Sequence, residues 1–70
     1  MASVTLTFAV TGMTCQHCVA SVTREVSEVA GVNTVSVDLE NGIVIAEGNG
    51  LSSETIVSAI GEAGYQAALT

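Results

Sequence analysis

The run Val4-Thr5-Leu6-Thr7-Phe8-Ala9-Val10, continued by Thr11-Gly12-Met13-Thr14-Cys15-Gln16-His17-Cys18 and then by Val19 to Gly31, decides the fold. Its hydrophobic period changes from that of a strand to that of a helix. The change falls on the chain's two cysteines and its one histidine. Val4, Leu6, Phe8 and Val10 alternate with Thr5, Thr7 and Ala9, which predicts a half-buried strand. Gly12 breaks the alternation, because it can take backbone angles that other residues avoid. From about Gln16 onward, Val19, Val22, Val26 and Val29 fall on one helical face, with Ser21, Arg24, Glu25 and Glu28 elsewhere. Valine is a mediocre helix former, so packing against the rest of the chain must hold this helix. Thr14 is the expected N-cap, and Gly31 fits the C-terminal stop.

The remaining residues complete the pattern. Val32 to Leu39 alternates as a second strand. Asn41-Gly42 signals a tight turn, and Ile43 to Glu47 pairs back as the third strand. That third strand is apolar on both faces, so its core side is left open. Gly48-Asn49-Gly50 is a loop, and Ser52-Ser53-Glu54 starts a second helix. Ile56, Ala59, Ile60 and Ala63 keep helical spacing up to Gly64, and Tyr65 to Leu69 is a final strand. The order predicts an α+β, ferredoxin-like βαββαβ fold: a four-stranded antiparallel sheet with both helices on one face. It fills residues 1–70 as a single domain.

Composition narrows the function. Seven acidic residues against one arginine and no lysine give a net charge of −6. Nucleic acid and anionic lipid are disfavoured, because both need a basic footprint. A partner with a basic patch is permitted. The N-terminus has neither a basic segment nor a long apolar run, and no stretch is long enough to span a membrane. The expectation is a soluble, cytoplasmic protein with reduced thiols.

A bridge between Cys15 and Cys18 would close a very small loop and stabilise little, so the pair is a poor structural staple. Two intervening residues let both sulfurs converge on one point. The helix start presents unpaired N–H groups and the positive end of a dipole, which favours thiolate. The thiol pKa values are expected below the usual ~8.5, with the helix start as the main cause. Soft thiolates select Cu(I), zinc or iron–sulfur clusters. A cluster usually takes four cysteines and structural zinc four protein ligands, whereas Cu(I) is satisfied by two. Ligand count therefore favours one Cu(I) on Cys15 and Cys18. An open two-ligand site leaves room for a third sulfur from another protein, and a copper-bridged dimer is a further expectation from the same opening. The alternative class is a dithiol redox enzyme, since C-x-x-C is also the thioredoxin-type motif. The absence of any proline or tryptophan and the order of elements count against it.

Gly12-Met13-Thr14-Cys15-Gln16-His17-Cys18, together with Gly31-Val32 and Glu62-Ala63-Gly64-Tyr65, resembles the heavy-metal-associated domain family over nearly the whole chain. The nearest subgroup is similar to the bacterial cytoplasmic copper chaperones. The resemblance implies a Cu(I) carrier, not an enzyme, that passes its ion by thiolate exchange to the amino-terminal metal-binding domain of a copper-transporting P-type ATPase. It implies Cys15 and Cys18 as ligands, Met13 as a core residue beneath the loop and Tyr65 near the site. Thr14 before the first cysteine, where zinc-preferring members carry an acid, points to copper. So does Val19 after the second, where mercury-binding members carry proline. Zn(II), Ag(I) or Hg(II) are expected as substitutes in vitro. The lack of surface lysines, used for docking by many copper chaperones, implies a docking surface built on apolar and acidic contacts. His17 is expected to face solvent and tune the site by its charge. For Tyr65, ring packing is favoured over hydrogen bonding to a thiolate. The opening Met and the end just after the last strand predict a whole chaperone rather than a domain excised from such an ATPase.

Overall fold

The computed structural model describes residues 3–70; Met1 and Ala2, the first residues of the domain expected over 1–70, lie outside them. The elements are β1 (Val4–Thr11), α1 (Gln16–Ser27), β2 (Val32–Asp38), β3 (Ile43–Gly48), α2 (Ser53–Glu62) and β4 (Gln66–Leu69). The sheet runs β2-β3-β1-β4, and every neighbouring pair is antiparallel. The expected βαββαβ fold is the one found.

The core explains the arrangement. Phe8 and Val10 from β1 and Val44 and Ala46 from β3 point to the same face of the sheet. They pack with Val22 and Val26 of α1 and Ile56 and Ile60 of α2 in one cluster. Both helices therefore cover the same face, and burying these side chains is the main force holding a chain this small together. The open question about β3 is resolved: Val44 and Ala46 are buried, while Ile45 faces outward. Val4, expected among the inward residues, is exposed. Its cross-strand partner is Gly48, which offers no side chain to pack against.

Two local expectations are corrected. The buried stripe of α1 is Cys18, Val22 and Val26, not a stripe through Val19, which is only half-buried. The spacing of four is the one that keeps facing the sheet, and it carries the core stripe out to a sulfur. The N-cap is Cys15 in extended geometry (φ −157°, ψ 174°) with no side-chain cap. Thr14 stands one residue too early for that role, and its hydroxyl lies beside Cys18 instead. The tight turn expected at Asn41-Gly42 is present: Gly42 takes φ +65° and its N–H donates to the Leu39 carbonyl at 3.3 Å. Asn41 keeps a negative φ, and the Asp38 carboxylate accepts from its backbone N–H at 3.2 Å and from its side-chain amide at 2.8 Å.

The register sorts the connections onto two ends of the sheet. Thr11 pairs with Gln66, and Val10 N–H donates to the Gly42 carbonyl at 2.7 Å. The β1–α1 loop, the β2–β3 turn and the α2–β4 connection thus share one end. At the other, Val4 pairs with Gly48, and Asn49 N–H donates to the Gly31 carbonyl at 2.9 Å. A Cβ on Gly48 would sit 1.9 Å from that carbonyl, so the backbones meet there only because residue 48 is glycine.

Candidate metal centre

Both cysteines are held by the strand-to-helix turn. Cys15 is exposed at the N-cap, and its carbonyl accepts from Cys18 N–H at 3.0 Å and from Val19 N–H at 3.4 Å. Cys18 lies in the first turn of α1, on the stripe that packs on the core, and is only 7 % exposed. The two Sγ atoms are 3.7 Å apart, as free thiols and not a disulfide. One sulfur is anchored and the other is accessible. Among the described residues there is no cavity, so the pair is presented at a surface and not within a cleft.

Donors converge on the inner sulfur. Thr14 N–H points at Cys18 Sγ from 3.5 Å, and Thr14 Oγ1 lies 4.0 Å from it. The Cys18 pKa is lowered to about 6. The Thr14 amide is the largest cause, followed by the Tyr65 hydroxyl and the Cys15 amide; burial opposes them, and the Cys15 thiol adds a last lowering contribution. Hydrogen bonds to a charged form favour that form. The sequence alone points to the helix start as the main cause. The leading donor is instead a loop amide four residues before the sulfur, outside α1. The motif alone placed Thr14 beside Cys15 in sequence; only the fold of the turn aims its amide at Cys18.

Tyr65 has two roles here. Its ring packs on the core cluster and covers Gly12, where an added Cβ would lie 3.2 Å from Tyr65 Cδ1. Gly12 has φ +97°, a region that side chains rarely enter. The ring packing favoured from sequence is therefore present. The hydroxyl also bears on the sulfur: the Tyr65 pKa is raised, first by its interaction with Cys18, then by burial and the charges of Cys18 and Cys15. Met13 is half-buried against the core, as the resemblance implied. His17 is exposed, and among the described residues no group of three His, Cys, Asp or Glu side chains assembles around a point. The sequence-predicted pair Cys15 and Cys18 is brought together, and His17 is not joined to it.

A ferredoxin-like sheet with two thiols on its first strand-to-helix turn defines a small domain that offers a dithiol at its rim. The heavy-metal-associated domain family matches residues 7–66, and the chain belongs to that family. It is 45% identical over 58 residues to the COP-associated protein of Helicobacter felis, covering 81% of this chain and 88% of that one. It is 42% identical over 64 residues to the copper chaperone CopZ of Bacillus subtilis, covering 89% and 93%. Among solved structures, a copper binding domain from HMA7, a P-type ATPase, superposes with a TM-score of 0.89 at 32% identity, covering 94% of this chain and 92% of that one.

Proposed function

We propose that this protein is a Cu(I) carrier that holds its ion on Cys15 and Cys18 and hands it to a P-type ATPase domain of the same fold. The observation that carries the reading is the pair of free sulfurs 3.7 Å apart, one fixed and one exposed. With metal–sulfur bonds of about 2.3 Å, as zinc makes, that separation suits a strongly bent arrangement, and a linear one needs about 4.6 Å. The exposed Cys15 side chain supplies the difference by rotating outward, while Cys18 stays on its donors. Two thiolates satisfy a soft d¹⁰ ion and leave one side open. Silver, mercury and zinc share the affinity for thiolate and are expected to compete in vitro.

Delivery follows from the same asymmetry. An incoming thiolate adds to the copper on its open side, Cys15 leaves first, and Cys18 last. One metal–sulfur bond forms for each that breaks, with no change of oxidation state. A receiving ATPase domain of this fold presents a like rim, so the three- and four-sulfur intermediates are built from matched geometries. Such a carrier works where thiols stay reduced, in the cytoplasm. It catalyses no covalent reaction. The rim end carries Asp38, Glu40 and Glu62, all exposed, so a partner with a basic docking face is favoured. In the absence of a partner, a second copy completes the coordination as a copper-bridged dimer.

The test is competitive titration of the reduced protein with Cu(I) and a chromogenic chelator. One ion per chain is expected, and Cys15→Ser or Cys18→Ser must weaken binding by more than about 100-fold, beyond what altering a supporting residue does. Wild-type affinity in either variant overturns the assignment of the ligands. Turnover of disulfide substrates at thioredoxin-like rates overturns the carrier reading.

A further inference from the structure

The chain contains two Asn-Gly pairs, Asn41-Gly42 and Asn49-Gly50, both in loops. Asn-Gly is the dipeptide most open to spontaneous deamidation, because glycine's bare Cα lets the next amide nitrogen reach the asparagine side chain. We propose that Asn49 is the deamidation site of this protein and that the fold protects Asn41. In the reaction the Gly50 amide nitrogen bonds to Asn49 Cγ, and the Asn49 side-chain nitrogen leaves as ammonia with the amide proton. Water then opens the resulting succinimide at either carbonyl, giving aspartate or isoaspartate. Water is the only co-reactant.

The two sites differ in what must break first. At Asn41 the side-chain nitrogen, which is the leaving group, donates to Asp38 Oδ2 at 2.8 Å, and the backbone N–H of the same residue donates to Oδ1 at 3.2 Å. The attacking nitrogen, that of Gly42, is held to the Leu39 carbonyl at 3.3 Å. Gly42 is only half-exposed, and an added Cβ there would lie 2.8 Å from the Val10 carbonyl. The asparagine that must rotate is clamped by a carboxylate, and the nitrogen that must attack is already committed. Asp38 is itself held ionised, its pKa lowered chiefly by the Asn41 side-chain bond.

At Asn49 none of these restraints is present. Among the described residues its side-chain amide takes no hydrogen bond, and Gly50 N–H makes no backbone bond. Both residues are exposed, and nothing lies within 4 Å of where a Gly50 Cβ would be. Only the Asn49 backbone N–H is engaged, with Gly31, on the side away from the reacting bond. The product matters because of that contact. The Asn49 carbonyl packs tightly against Gly31, 2.2 Å from where its Cβ would be. An isoaspartate puts an extra methylene into the main chain at this close approach, at the end of the sheet opposite the dithiol. Deamidation should therefore loosen the far end and leave the sulfurs in place.

The experiment ages the intact protein at mildly alkaline pH and maps both peptides by mass spectrometry. Conversion at Asn49 is expected to exceed that at Asn41 roughly tenfold, the factor set by one hydrogen bond to an ionised group. Equal rates, or faster loss at Asn41, overturn the proposal. Asp38→Ala should raise the Asn41 rate towards that of Asn49, and no change there removes the clamp from the explanation. In urea the two rates should converge; a difference that persists in urea belongs to neighbouring sequence and overturns the structural assignment.

Discussion

The β1–α1 and β3–α2 connections are alike in plan and put to two uses. Each leaves the sheet, passes a glycine with positive φ (Gly12 at +97°, Gly50 at +67°), tucks one half-buried apolar residue against the core (Met13, Leu51), and enters a helix through an extended N-cap without a side-chain cap bond (Cys15, Ser52). They differ in what faces the helix amides. The α2 start carries Glu54 in its first turn, which complements the positive end of the helix. The α1 start carries no acid, and its place is taken by two sulfurs. The amide of Thr14 and the hydroxyl of Tyr65 serve Cys18. The fold needs the turn and the glycine, whereas the chemistry needs only the few groups added at one of the two connections.

If that division is right, removing the sulfurs should empty the first turn of chemistry and spare its structure. The double variant Cys15→Ser, Cys18→Ser should lose Cu(I) binding by well over about 100-fold while its circular dichroism stays that of the wild type. A variant that unfolds would mean that Cys18 is principally a core residue. Truncating the core below the second turn should do the reverse. Ile56→Ala, at a fully buried position in the first turn of α2, should cost about 2–5 kcal/mol of stability, read from urea unfolding. Copper stoichiometry in the fraction still folded should be unchanged. A loss of stoichiometry would show that the two turns are coupled through the core.

The two glycines sharpen the contrast further. Gly50→Ala places its Cβ in open space and should cost only the backbone strain of a positive φ, about 1–2 kcal/mol. Gly12→Ala meets the Tyr65 ring at 3.2 Å as well, so the ring must shift. It should cost more than Gly50→Ala and also change how fast Cys18 is alkylated. Equal costs and unchanged alkylation would remove Tyr65 from the account of the site.

Much of this was legible in the chain. The alternation through Phe8 and Val10, the buried Val22 and Val26, and the helical spacing of Ile56 and Ile60 place six of the core side chains, because burial of one face imposes a period on sequence. The closeness of Cys15 and Cys18 was legible for a related reason: a spacing of three at a helix start leaves few ways for the sulfurs to diverge. The supporting groups were not. A backbone amide has no signature in sequence: the Thr14 side chain suggests a cap, whereas its N–H serves Cys18. Val19 was placed on the core face because a stripe of valines looked sufficient, and Cys18 was the residue that completed it. The Asn41 turn was legible as a turn, but its geometry depends on Asp38, which sequence gave no reason to single out.

The last effect concerns pH. In the folded chain Cys18 has a pKa lowered to about 6, against 9.0 for the free side chain. For an acid depressed in this way, the unfolded chain binds the proton more tightly between those two values. Its contribution to stability is fully present above the unfolded pKa, declines as pH falls, and is gone once pH drops below the folded one. Apo protein should therefore become more resistant to urea as pH rises from about 6 towards 9, relative to Cys18→Ser measured under the same reducing conditions. The difference between the two proteins is the quantity to plot, since every other titrating group is common to both. A parallel series in Tyr65→Phe should show a shallower slope, because the hydroxyl is the second cause of the depression. The residual slope belongs mainly to the Thr14 amide, which every substitution short of Thr14→Pro leaves in place. A flat difference across the window would mean that the donors around Cys18 do not hold a thiolate, and the first turn would then differ from the second only in bearing sulfur.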